Sequence, residues 1–192
     1  MSHPAATAAH RVLLDAEQVA RTLSRIAHEI IERNDDLEAV ALVGIHTRGV
    51  PLAHRLRRLI EERSGVELEL GQLDITFHRD DVHVRSGSAP RRPQPIVRDT
   101  KLDFPIEGRT VVLVDDVLFT GRTIRAAMDV LADYGRPRAV KLAALIDRGL
   151  RELPIQPDFV GLSMQTTAQE SVRVMLTERG EPDRVVLRER PA

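Results

Sequence analysis

The run Val111 to Thr123, VVLVDDVLFTGRT, holds residue types able to bind a phosphate and a polyol side by side. Four apolar residues lead into two adjacent carboxylates, Asp115 and Asp116. A short apolar step through Val117, Leu118 and Phe119 follows, and then Thr120-Gly121-Arg122-Thr123 opens a helix. In open α/β sheets, ligands bind beyond the carboxyl ends of the strands. Gly121 lets the backbone come close to a ligand. The free N–H groups of the first helical turn, with the hydroxyls of Thr120 and Thr123, make an anion cradle favoured by the helix dipole. A ribose 5-phosphate moiety fits this layout, with its phosphate in the cradle and its 2′- and 3′-hydroxyls on Asp115 and Asp116. A capped strand-to-helix turn would account for a lone Thr-Gly-x-Thr. The apolar strand, paired acids and cradle in one contiguous run favour the binding reading.

Such a run needs a sheet to carry it. Asp15 and Gln18 have capping-box spacing, and Val19, Leu23, Ile26 and Ile30 recur at helical spacing up to about Arg33, where Asn34-Asp35-Asp36 breaks the helix. Ala39 to Ile45 is a short apolar run that reads as a buried strand. His46 to Gly49 forms a loop, and Pro51 suits the first position of a second helix ending near Gly65. Val66 to Leu70 alternates as a half-buried strand does. Thr76 to Pro105, rich in polar residues and proline, reads as a projecting arm with a mobile tip. Val111 to Val114 is the most core-like strand, Asp115 to Gly121 a loop, and Thr123 to Tyr134 a helix with Gly135 as its C′ residue. Ala139 to Ile146 is another buried strand, and residues 147–171 are irregular. Val172 to Leu176 and Arg184 to Arg188 form a terminal hairpin. Strands alternating with helices imply a mostly parallel sheet covered on both faces.

Composition narrows the function classes. The chain has 192 residues, 28 basic and 29 acidic, for a net charge of −1, so bulk charge does not hold it to nucleic acid or membrane. There is no Cys, which excludes disulfides, thiolate nucleophiles and Cys-based zinc sites. No apolar run approaches the roughly 18 residues of a membrane span, and the N-terminus lacks a signal-peptide pattern. A soluble, cytoplasmic protein is expected. Of the basic residues only Lys101 and Lys141 are lysines. Base composition of the genome accounts for that bias as readily as phosphate recognition by guanidinium forks. His78, Asp80, Asp81 and His83 lack sharp ligand spacing and read as a solvated arm, so no protein-held metal centre is expected.

The Val111–Thr123 run resembles the PRPP-binding signature of type I phosphoribosyltransferases. With LVGIHTRGVPLA (Leu42 to Ala53), LDITFHRDD (Leu73 to Asp81) and IDRGLRELPIQPDFVG (Ile146 to Gly161), in this order, the chain is similar to the PyrR family. These are bifunctional pyrimidine-operon regulators and uracil phosphoribosyltransferases. The match runs from Ala16 to about Leu187. The resemblance implies an α/β type I phosphoribosyltransferase fold, with a mostly parallel central sheet flanked by helices, a flexible β-arm and a small hood. The N-terminus carries no periodicity and is expected to be frayed over 1–14, leaving one phosphoribosyltransferase domain over 15–192, with the arm at about 74–105 and the hood at about 147–171.

The resemblance also implies the reaction of uracil with PRPP to give UMP and pyrophosphate. Mg²⁺ would be held by PRPP oxygens and water near Asp115 and Asp116. Thr47, Arg48 and Gly49 match the pyrophosphate loop, Val117 to Thr123 the phosphate loop, and Arg79 the arm that closes over PRPP. Phe159 and Val160 match residues of the hood over the base. Asp115, Asp116, Arg48 and Arg79 are the catalytic candidates. Asp147-Arg148 is open between an ion pair and a place near the base. An RNA-binding pyrimidine-operon regulator with little catalytic activity and a phosphoribosyltransferase for another nucleobase are the alternatives, and spacing alone does not separate the latter. A homodimer or higher homo-oligomer is expected.

Arg21, Arg25 and His28 share one face of the first helix with Ser24. That face is either solvated or, as the resemblance implies for Ser24, Arg25 and His28 and also for Arg151, a surface for pyrimidine-operon leader RNA bound with UMP. The chain departs from the family pattern there. Leu150 stands for a His, Gln156 for an Arg, and Leu162-Ser163 for Lys-Asn. Each lost cation removes a phosphate contact. Exposed leucines in their place would suit a protein contact better.

Overall fold

The computed structural model describes residues 10–76 and 100–189. Five parallel strands form the central sheet: β2 (Val40–Ile45), β3 (Glu69–Leu73), β4 (Thr110–Leu118), β5 (Ala139–Asp147) and β6 (Phe159–Ser163). Their order is β3-β2-β4-β5-β6. β2 is buried throughout, as is β4 from Thr110 to Asp115. Both faces are therefore covered, which is why these strands read as unbroken apolar runs. α1 (Ala16–Glu32) and α2 (Gly49–Ser64) pack on one face and α3 (Arg122–Ala132) on the other, giving two separate apolar clusters.

β2 leads through α2 outward to β3, and β4 leads through α3 the opposite way to β5. The strand order reverses between β2 and β4. The crevice at their carboxyl ends is thus the place where an open α/β sheet binds ligands. The loops that follow β2 and β4 are the Thr47-Arg48-Gly49 and Phe119–Gly121 segments.

Several sequence expectations match the elements closely. Asp15 Oδ1 accepts from Gln18 N at 2.8 Å and Gln18 Oε1 accepts from Asp15 N at 2.9 Å, completing the capping box of α1. Gly65 ends α2 at φ 72°. The terminal hairpin is present as β7 (Glu170–Met175) and β8 (Arg184–Glu189).

Other expectations are corrected. His10 to Leu14, expected to be frayed, is β1, paired with β8 in a three-stranded antiparallel sheet of order β1-β8-β7. β4 does not stop at Val114; it runs through Asp115 and Asp116 to Leu118 because β5 pairs with it as far as Asp147. β3 lies three residues later than the alternating stretch Val66–Leu70, in register with β2. The segment 147–171 is not wholly irregular, since it contributes β6 to the edge of the main sheet. Gly161 makes that possible: a Cβ there would lie 2.2 Å from Leu145 O and 2.7 Å from Thr22 Cγ2 of α1. The arm expected at about 74–105, with Arg79, falls mainly on residues outside the described ones. At its base Gln72 and Lys101 form an antiparallel bridge.

The turn between β7 and β8 is fastened to α2 by Arg55. Its guanidinium donates to Glu178 at 2.6 and 2.7 Å and to Asp183 at 2.5 and 3.0 Å. Asp183 Oδ1 also accepts from Thr177 N at 2.8 Å. The Arg55 bonds hold both carboxyls below their ordinary range. A carboxylate with a depressed folded-state pKa contributes stability above its unfolded pKa and loses it as pH falls through the folded value. Arg55→Met is therefore expected to cost about 2 kcal/mol at pH 7, the scale of charge-assisted hydrogen bonds, and much less near pH 2. Urea midpoints of both proteins at the two pH values check this. Equal differences at both would contradict it.

Candidate active site

Two loops meet at the switch point. The first follows β2: Gly44 and Gly49 let α2 begin directly against the sheet. A Cβ on Gly49 would lie 2.1 Å from Val114 O and 3.3 Å from Asp115 Cα, and one on Gly44 would lie 2.5 Å from Val50 Cα. Only glycine allows this approach, and it sets Arg48 over the end of β4. The peptide between His46 and Thr47 is cis. Arg48 Nε is buried, has no hydrogen-bond partner among the described residues, and lies 4.0 Å from Asp116 Oδ2. A desolvated donor in that position is costly unless an anion completes it.

The second loop follows β4. Asp115 is 6% exposed and accepts from Asp116 N at 2.9 Å. Asp116 is partly open to the crevice. Burial pushes its carboxyl above the ordinary range, and Arg48 pulls in the opposite direction without cancelling the shift. Thr120 Oγ1 accepts from Arg122 N at 3.4 Å, and Gly121 at φ 92° is the N-cap of α3. A Cβ on Gly121 would be 3.3 Å from Leu153 Cβ and would be strained at that φ. The cradle thus stands at the start of α3, one loop away from the acidic pair and across the crevice from Arg48.

Segment 148–153 backs the second loop, which sequence reasoning missed. Arg148 is 4% exposed; its guanidinium carbon lies 4.1 Å from the centre of the Phe119 ring. Arg148 also donates to Thr166 Oγ1 at 2.9 Å, Thr167 O at 3.0 Å and Glu170 O at 2.9 Å, tying the loop to β7. Asp147 pairs with Arg151, Nη2 to Oδ2 2.7 Å. No spacing rule signals the packing of this segment on the loop, because it joins residues about 30 apart.

The Phosphoribosyl transferase domain model matches residues 11–177. The chain belongs to the phosphoribosyltransferase family. Within it, the chain groups with the PyrR proteins. It is 53% identical to a "Bifunctional protein PyrR" of Thermus thermophilus over 178 residues, 93% of this chain and 95% of that one. Against the protein of the same name from Chloroflexus aurantiacus it is 55% identical over 175 residues, 91% and 93% of the two chains. Against that of Clostridioides difficile it is 47% identical over 180 residues, 92% and 97%. Its fold is similar to that of the hypoxanthine phosphoribosyltransferase of Trypanosoma cruzi, at TM-score 0.67 and 15% identity over 94% of this chain and 97% of that one. A hypoxanthine-guanine phosphoribosyltransferase of Bacillus anthracis is similar at TM-score 0.66 and 17% identity, over 92% and 96%. The type I phosphoribosyltransferase fold is thereby established. Among the described residues no helix is long and apolar enough to cross a membrane.

Within this phosphoribosyltransferase, Thr47, Arg48, Gly49, Asp115, Asp116 and the Val117–Thr123 segment all lie on the two loops, the end of β4 or the first turns of α2 and α3. Phe159 does not. Its side chain is fully buried in the cluster beneath α1, with Arg33 and Lys141 near its ring. Val160 is half-buried on β6, and its carbonyl accepts from Arg25 Nη2 at 2.9 Å. On α1, Arg25 also pairs with Glu29, and Ser24 Oγ accepts from Arg63 Nη2 at 2.5 Å. His28 Nε2 lies 3.1 Å from Glu32, and Arg21 3.5 Å from Glu17. Leu162 is half-buried and packs against the core, whereas Leu150 is 42% exposed at φ 57°.

Proposed function

We propose that this protein transfers the 5-phosphoribosyl group of PRPP to uracil, giving UMP and pyrophosphate. The observation that carries the reading is the pairing of two loops across one crevice, Arg48 Nε standing 4.0 Å from the Asp116 carboxylate at the end of β4. Breaking the anomeric C–O bond leaves positive charge on the ribose and negative charge on departing pyrophosphate. Arg48 and the N–H groups of the Thr47–Gly49 loop face the leaving anion. Asp115 and Asp116 accept from ribose hydroxyls and face the growing positive charge. The start of α3 holds the 5′-phosphate. Catalysis then consists of positioning and charge stabilisation, with no side-chain nucleophile. The oxygens of Asp115 and Asp116 are ligands of the kind Mg²⁺ takes. When bound with PRPP, that ion neutralises charge on the leaving group. Self-association as a homodimer or larger assembly belongs to the same reading.

The test is product formation from PRPP and Mg²⁺ with uracil, hypoxanthine and orotate in parallel. UMP from uracil alone is expected. Product from another base would keep the PRPP site and reassign the base.

The bifunctional relatives favour a second activity, binding of pyrimidine-operon leader RNA in the presence of UMP, with Ser24, Arg25 and His28 on α1 as its surface. The partners of Arg25 and His28 include i,i+4 carboxylates, Glu29 and Glu32. Exposed pairs of that kind contribute little to stability, although Arg25 Nη2 also donates to Val160 O and Gly161 O. A UMP-dependent mobility shift at low salt is expected, and it should weaken in Arg25→Gln/His28→Gln. Absence of any UMP-dependent shift would remove the second activity.

A further inference from the structure

We propose that Arg151 is a positioning residue of the phosphate loop, holding the peptides of that loop so that their N–H edge faces the 5′-phosphate. The inference rests on the proposed reaction for its ligand, PRPP, but not for its geometry. Three consecutive carbonyls of the loop are engaged from behind by one segment. Leu118 O accepts from Arg148 N at 3.1 Å, and Thr120 O accepts from Glu152 N at 3.0 Å and Leu153 N at 3.1 Å. Between them, Phe119 O accepts from Arg151 Nη1 at 2.9 Å. In a planar trans peptide the carbonyl and the following N–H point in opposite directions. Fixing these carbonyls toward segment 148–153 therefore turns the N–H groups of Phe119, Thr120 and Gly121 to the other side of the loop.

Two of the three carbonyls are held by backbone donors, which substitution does not remove. The middle one depends on a side chain, and that side chain is built in firmly. Arg151 is 14% exposed along its side chain. Its Nε donates to Ile155 O at 2.9 Å, its Nη1 also reaches Gly149 O at 3.3 Å, and its Nη2 donates to Asp147 Oδ2 at 2.7 Å. These contacts occupy four of the five donors of a guanidinium. The fork thus spends itself on the protein, which argues against its role as an RNA phosphate ligand. A lysine, with a single ammonium, cannot span the Phe119 and Ile155 carbonyls and the Asp147 carboxylate together.

The experiment is calorimetric titration of the whole protein and of its Arg151→Met and Arg151→Lys variants with ribose 5-phosphate and, separately, with magnesium pyrophosphate. Pyrophosphate reports on the Arg48 loop, which Arg151 does not touch. Misplacement of a binding group by about 1 Å costs on the order of a hundredfold. Ribose 5-phosphate is accordingly expected to bind about ten to a hundred times more weakly to both variants, with pyrophosphate affinity kept within about twofold. The KM for PRPP should rise while that for uracil stays. Should Arg151→Met fail to fold, Arg151→Lys decides by the same readouts. Unchanged ribose 5-phosphate affinity would overturn the proposal, as would equal weakening of both ligands or loss of leader-RNA binding alone. Wild-type protein that binds ribose 5-phosphate, weakened by Arg151→Met, yet makes no UMP would support the positioning role and overturn the reaction instead.

Discussion

Asp116→Asn is expected to lower kcat/KM for UMP formation by about 10² to 10³-fold, the scale of removing one preorganised charge from a transition state, while leaving the fold as stable as before or more so. The two effects have one cause. Asp116 stands at the mouth of the crevice, where burial raises its pKa and Arg48 only partly offsets that burial. A carboxyl whose folded-state pKa is raised destabilises the fold above that pKa, because the native state gives up its proton less readily than the unfolded chain does. The neutral amide removes that cost and removes the charge that faces the ribose. Activity and stability then move in opposite directions, as expected of a residue kept for function at the expense of the fold. In the wild type, the acid limb of kcat/KM should lie above the ordinary carboxylate range, since that profile reports the free enzyme. Rate measurements across pH and urea midpoints for both proteins check the pair of effects. A variant that loses stability and activity together would show Asp116 to be structural.

Arg148→Met is expected to be the most damaging single substitution to the fold outside the apolar core. The residue is 4% exposed, and its guanidinium donates to the Thr166 hydroxyl and to the Thr167 and Glu170 carbonyls and stacks on Phe119. Methionine fills much of the same volume but leaves the buried Thr166 hydroxyl and two part-buried carbonyls without their donor, at about 1–3 kcal/mol for each group stranded in the interior. A net loss of about 3–5 kcal/mol follows, within the range for breaking a buried charged network. At this chain length that lowers the melting temperature by roughly 6–20 °C. The loop carrying Phe119 should loosen with it, and ribose 5-phosphate affinity should fall. A loss below about 1 kcal/mol would mean that the arginine contributes little beyond its bulk.

Much of this architecture is legible from local pattern. The capping box at Asp15, the apolar stripe of α1 and the buried runs of β2, β4 and β5 follow from periodicity and from propensities that act within a few residues. The acid pair and the Thr120–Thr123 cradle are readable for the same reason, being one contiguous run. What escapes is what distant partners decide. His10–Leu14 becomes a strand only because Arg184–Glu189 supplies its ladder. β4 outruns its apolar stretch because β5 continues to pair with it past Asp115. The family resemblance sets Phe159 in the hood over the base, and no local pattern corrects that. In the fold it belongs to an edge strand beneath α1, where an apolar ring is simply core. The backing of the phosphate loop by Arg148 and Arg151 is equally out of reach, since its acceptors are backbone carbonyls that no side-chain pattern encodes.

The most direct measurement of the central claim is a crystal structure of the protein soaked with UMP. The account predicts the UMP phosphate against the N–H groups at the start of α3, between Thr120 and Thr123. It predicts the ribose hydroxyls within hydrogen-bond reach of Asp115 and Asp116, with Arg48 facing the anomeric side. UMP bound elsewhere, or with its phosphate on the Thr47–Gly49 loop and its ribose away from both carboxylates, would contradict it.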